Sequence, residues 1–211
     1  FDTATQMILR AFDAGICHSD LANNYGPEPG TAEENFGRIL RENLASHRDE
    51  LFITTKAGHR MWPGVYGDGS SRKNLLASCD QSLQRMGLDY VDVFYSHRYD
   101  GVTPIEETMQ ALVDIVRAGK ALYVGLSKYP PELHAQCYAY LREQHVPCLV
   151  SQYPASMFRR TSVASVEDSN LIVADKHGSG VDCFSPTAPG LPTTTYINGN
   201  PDKNQHATAT G

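Results

Sequence analysis

Six short β-rich runs recur along the chain, starting at residues 16, 51, 90, 121, 147 and 181, an average spacing of about 33 residues. They cover 16–22, 51–57, 90–97, 121–127, 147–152 and 181–185, and the segments between them carry helical periodicity. The clearest stripe is Ile105, Met109, Leu112, Val113 and Val116, which recurs on one face of a 3.6-residue helix. Thr103-Pro104-Ile105-Glu106 in front of it has the spacing of a capping box, and Gly119 behind it suits a C-terminal cap. A helix opening at Thr31 is expected to bury Phe36, Ile39, Leu40 and Leu44. Leu76, Cys79, Leu83 and Met86 stripe another that stops at Gly87, and Leu133, Cys137, Tyr140 and Leu141 a third entered through Pro130-Pro131. Residues 3–14 read as a helix leading into the first run.

Strand then helix at near-constant spacing means βαβ units and a parallel sheet. Two architectures follow from six strands and six helices. A six-strand doubly wound sheet fits the length of 211 residues. A (β/α)8 barrel would need about 250 residues. No G-x-G-x-x-G follows any strand, so a Rossmann dinucleotide site is not supported. Residues 1–190 read as one strand–helix domain, and 191–211, polar and turn-rich, as an irregular tail.

The strands of a parallel sheet end at one rim, where ligands bind in both architectures. The residues at those ends are Asp20, Lys56, His97, Ser127, Gln152 and the Phe184-Ser185 pair, with Tyr25 in the loop after Asp20. Lys56 ends the apolar run Leu51-Phe52-Ile53, where an unpaired ammonium is costly, so it requires a carboxylate, and Asp20 is on a neighbouring strand. An ammonium beside a tyrosine hydroxyl lowers the tyrosine pKa, and a histidine nearby can bond the same substrate oxygen. That set donates a proton to a carbonyl oxygen becoming an alkoxide, which suits carbonyl reduction with hydride from a cofactor. A Schiff-base aldolase on Lys56 is a chemical alternative. A metal hydrolase is weaker, because His59 and His97 fall in no ligand-spaced motif.

The formal charge of −6 and pI near 5.7 argue against nucleic acid or an anionic membrane as the main partner. No apolar stretch reaches the ~18–20 residues of a membrane span. Five scattered cysteines without a C-x-x-C pair fit neither a disulfide scaffold nor structural zinc, and a cytoplasmic, reducing setting is expected.

The stretches Asp20-Leu-Ala-Asn-Asn-Tyr25-Gly26, Thr55-Lys56-Ala57-Gly58 and Tyr95-Ser96-His97-Arg98 resemble the aldo-keto reductase superfamily. Within it the likeness is to the bacterial L-glyceraldehyde 3-phosphate reductase branch, related to the potassium-channel β subunits. It is strong to about Tyr129, weaker to about Leu191, and not legible in the tail. The resemblance implies a (β/α)8 TIM barrel that binds NADPH and reduces a small aldehyde, L-glyceraldehyde 3-phosphate or a methylglyoxal-like compound. It implies catalytic roles for Tyr25 as general acid, Lys56, Asp20 and His97. Ser127 and Gln152 would hold the nicotinamide carboxamide, Phe184 would stack on its ring, and Ser185 would join the cofactor site. Trp62 and Tyr66 resemble substrate-pocket residues, and Arg98 suits a substrate phosphate by charge. A homo-oligomer is compatible with the resemblance.

In family register the first run is the second barrel strand and the last is the seventh. The chain therefore reads as a truncated barrel, expected to be a fragment of a longer protein. Lys128 stands where family members carry Asn or Ser. The competing expectations are a non-catalytic cofactor sensor like the channel β subunits, or an inactive remnant.

Overall fold

The computed structural model describes residues 1–160 and 169–191, so the expected tail lies outside the described residues apart from Leu191. The rhythm of the sequence becomes α1 (Asp2–Asp13), β1 (His18–Asp20), α2 (Thr31–Ile39), β2 (Phe52–Ala57), α3 (Arg72–Met86) and β3 (Val91–Ser96). It continues through α4 (Ile105–Arg117), β4 (Ala121–Ser127), α5 (Pro131–Glu143), β5 (Cys148–Pro154), α6 (Asn170–Lys176) and β6 (Gly180–Phe184). A π turn, Leu40–Leu44, and a 3-10 segment, Ala45–Glu50, prolong α2, and Phe36, Ile39, Leu40 and Leu44 are all buried as expected.

The strands lie side by side in chain order, β1 to β6, and every pairing is parallel. A doubly wound sheet would reverse its order at a switch point. Here α2 packs on α3, α3 on α4, α4 on α5 and α5 on α6, so these helices share one face of the sheet. One hydrogen bond shows how far the sheet curls. Gln152 Nε2 on β5 donates to Asp20 Oδ2 on β1 at 3.1 Å. In a flat sheet strands four places apart would stand about 19 Å apart at ~4.8 Å per strand. The six βα units are thus part of a (β/α) barrel, and the doubly wound alternative is excluded.

Strand alternation sorts residues between the outer shell and the interior. Ile53, Phe94, Val124 and Leu126 pack outward with Leu75, Met86, Met109, Leu112, Ile115 and Leu141. Thr55 also faces the helices, donating to Glu33 Oε1 at 2.5 Å, and Glu33 is ion-paired at 2.7 Å with Arg85 of α3. Gly37 is where α2 meets α3: a Cβ there would lie 2.5 Å from Met86 Cα. On the other face Lys56, Tyr95 and Gly125 are in register across three strands, and the missing side chain of Gly125 leaves room for the buried Tyr95 ring.

Helix ends follow the sequence in part. Gly87 (φ 67°) ends α3 and Gly119 (φ 72°) follows α4, positions that disfavour any residue with a Cβ. The capping box before α4 does not form. Pro104 is the N-cap, and the Thr103 hydroxyl donates instead to Asp100 at 2.7 Å, which also accepts from the Thr103 N–H. Among the described residues no helix is long and apolar enough to cross a membrane.

Candidate active site

The carboxyl ends of β1, β2 and β3 carry the first three candidates. Paired residues of β1 span only His18–Asp20, yet backbone bonds from Phe52 to Cys17 and from Asn23 to Lys56 continue its track along β2. Asp20 and Lys56 therefore project into the interior from neighbouring strands. Lys56 Nζ donates to Asp20 Oδ1, Asp20 Oδ2 and Leu21 O, each at 2.7 Å, which uses all three of its N–H donors. Thr54 Oγ1 adds a 2.6 Å bond to Asp20. Burial lowers the Lys56 pKa and the Asp20 pairing opposes part of that drop. A fully buried lysine with every donor engaged is a poor Schiff-base nucleophile, which weakens the aldolase alternative.

Tyr25, 38% exposed, reaches over this pair: Lys56 Nζ is 5.3 Å from its ring centroid, and the His97 ring meets it edge-on at 5.9 Å. The sequence-based expectation that Lys56 depresses Tyr25 does not hold in this geometry. Lys56 gives its hydrogen bonds to Asp20 and Leu21, while burial, with the Asp20 charge behind it, raises the Tyr25 pKa. The phenol keeps its proton at neutral pH, the state a proton donor needs. His97 is held neutral: burial first, then the charge of nearby Lys128, push it down to about 2. Its Nδ1 is buried without a hydrogen-bond partner.

Ser127 and Gln152 are partners in register on β4 and β5. Ser127 Oγ is buried and unpartnered. The Gln152 amide nitrogen donates to Asp20 (3.1 Å) and to Asp182 of β6 (2.7 Å), leaving its oxygen for a ligand. Phe184 is half-buried at the end of β6, and exposed Ser185 follows with φ 56°. The loop after β2 places Tyr66 against a cleft of about 400 Å3 shared with Arg98, Asp68 and Asp100. Trp62 packs instead on Gly67 and does not line that cleft. Arg98 is already occupied, donating to Gly58 O (2.8 Å) and Asp68 Oδ1 (2.6 Å), so a substrate phosphate would have to share it.

Asp182 and Asn23 escaped the sequence reading. Asp182 had a signal: it is the one charged residue in β6 and lies two positions from Phe184, on the same strand face. Asn23, whose amide nitrogen and oxygen are both buried without partners, had none that separates it from Asn24. Unpartnered Ser127, Asn23 and His97 atoms at one rim are donors and acceptors without a ligand, and they suit a planar group bearing a carboxamide.

The sequence profile of the Aldo/keto reductase family matches residues 1–210, beyond the point where the likeness was legible. The chain is 54% identical over 202 residues to the L-glyceraldehyde 3-phosphate reductase of Escherichia coli K12, covering 95% of this chain and 57% of that protein. It is 36% identical over 190 residues to a probable voltage-gated potassium channel subunit beta of Arabidopsis thaliana, covering 89% and 55%. A similar subunit from Oryza sativa is 34% identical over 200 residues, covering 93% and 58%. The chain spans little more than half the length of these curated relatives.

Proposed function

The chain belongs to the aldo/keto reductase family, and on that premise we propose that it reduces a small aldehyde to the alcohol with NADPH, Tyr25 giving the proton. L-Glyceraldehyde 3-phosphate and methylglyoxal-like compounds are the proposed substrates. The observation that carries this reading is the Lys56–Asp20 pair under a protonated Tyr25, with neutral His97 beside it.

Ser127 and the Gln152 oxygen would hold the carboxamide of the cofactor, with Phe184 against its ring. The nicotinamide supplies the hydride that no side chain can. The chain's own residues then act on the carbonyl oxygen. Neutral His97 offers one ring N–H to that oxygen and orients it beside the Tyr25 hydroxyl. Tyr25 releases its proton as negative charge grows on the oxygen, with the Lys56 ammonium 5.3 Å from its ring centroid. Asp20 keeps Lys56 charged and fixed, and Gln152 braces Asp20 from across the barrel. The proposed setting is the cytoplasm, where five free cysteines stay reduced.

The test is a titration of NADPH into the 211-residue chain, followed by nicotinamide fluorescence, then aldehyde assays. Saturable binding near the micromolar range, about −8 kcal/mol, with turnover of glyceraldehyde 3-phosphate or methylglyoxal, supports the reading. Binding without turnover points to the cofactor-sensing behaviour of a channel β subunit, and absence of binding sinks the proposal.

A further inference from the structure

The charge that first suggests a phosphate partner, Arg98, is spent on Asp68 and Gly58. A second cation stands beside the chemistry. Lys128 follows Ser127 at the end of β4 in the left-handed region (φ 60°), its backbone N–H bonded to Gln152 O at 3.1 Å. Non-glycine residues adopt that conformation infrequently, and here it coincides with a rim position. Lys128 Nζ lies 3.4 Å from His59 Nε2 and 5.8 Å from the Phe184 ring centroid. His59 in turn meets the His97 ring edge-on, centroids 4.4 Å apart. Among the described residues no carboxylate lies within ion-pair distance of Lys128. Its charged surroundings are cationic: partial burial, then Lys56 and Arg98, lower its pKa. An ammonium without a counter-charge, one imidazole away from His97, is a place that an anion completes.

We propose that Lys128, positioned by His59, binds the phosphate of a substrate whose carbonyl lies at Tyr25 and His97, so that the chain selects phosphorylated over neutral short aldehydes. The proposal rests on the reductase reading for the placement of the carbonyl; the anion subsite itself can be measured without turnover. Burial and the Lys128 and Arg98 charges keep His59 neutral, so its Nε2 accepts one N–H from the ammonium and two N–H donors remain for the phosphate. Lys128 alone touches the anion, and His59 is a positioning residue.

Calorimetric titration of the chain with glycerol 3-phosphate and with glycerol, neither of which carries a carbonyl, tests this directly. Glycerol 3-phosphate binds saturably and glycerol does not. Lys128→Ser weakens that binding by about tenfold or more, the scale of one charge-assisted hydrogen bond. Lys128→Arg, with the charge kept, recovers most of it, and His59→Asn weakens it by a smaller factor. With NADPH, the kcat/KM ratio of glyceraldehyde 3-phosphate to glyceraldehyde falls by a similar factor in Lys128→Ser. Wild-type chain that binds neither compound, or Lys128→Ser that binds glycerol 3-phosphate as wild type does, overturns the proposal. Phosphate binding that needs Lys128 in a chain that reduces no aldehyde leaves the subsite standing and removes the reductase reading instead.

Discussion

Tyr25 carries the proton in the proposed reaction, and among the described residues no other tyrosine with a raised pKa is exposed. Tyr25→Phe is therefore expected to lower kcat by about 100-fold or more while NADPH titration and the melting temperature stay near wild type; unchanged kcat would remove Tyr25 from the proton-donor role. Two histidines supply a second prediction. Burial holds the imidazoles of His97 at about 2 and His134 at about 3 in the folded chain, whereas the unfolded chain takes up their protons near ~6.5. The unfolded state thus binds more protons below that point, and stability falls with falling pH by about 1.4 kcal/mol per unit for each histidine. Asp100 answers in a lower window: against the upward push of burial, the N–H groups of Ser70, Val102 and Thr103 hold it at about 2. Its contribution is lost only once the pH passes below the ordinary carboxylate range of ~4. Denaturation midpoints between pH 7 and 5 check the histidine effect, and a flat profile would refute it. The sequence showed Asp20, Lys56 and His97 as rim residues because each ends a recognisable strand. It concealed His134, which sits on the buried side of α5 hydrogen-bonded to Ser151 (2.7 Å) and Tyr153 (2.8 Å), because α5 periodicity marks a face and not its partners.

Helix contacts decide what each βα unit tolerates. At Gly37 the backbone of α3 is too close for any side chain, so Gly37→Ala must push α2 off Met86. Overpacking of this kind costs about 1–3 kcal/mol, which lowers the melting temperature by roughly 2–4 °C per kcal/mol for a domain of this size; thermal denaturation measures it, and an unaltered midpoint would mean that the helices part freely. The helix stops at Gly87 and Gly119 were legible because a positive φ leaves so few residue choices. The start of α4 was misread because the competitor for Thr103, the Asp100 carboxylate, lies outside the box motif that the local pattern describes. Glu33, in the first turn of α2, is fully buried between Thr55 and Arg85, a relation set by strand and helix neighbours that spacing along the chain does not display.

Across the whole molecule, protection should grade from the middle of the sheet outward. Among the described residues β1 pairs only with β2 and β6 only with β5, whereas β3 and β4 have partners on both sides. Hydrogen exchange is expected to show β3 and β4 amides opening with the global transition and β1 and β6 amides opening locally at lower cost; uniform protection across all six strands would contradict that gradient. The 33-residue rhythm made the parallel sheet legible, but not its curl, because the Gln152–Asp20 bond joins residues 132 positions apart. Asp20 belongs to the three-residue edge strand β1, and Lys56 to β2, one strand further in. Warming that peels β1 outward takes the carboxylate from the lysine while the rest of the barrel still stands. The working temperature of the proposed reductase is then set by its thinnest strand, and heat would silence that reaction some degrees before the chain melts.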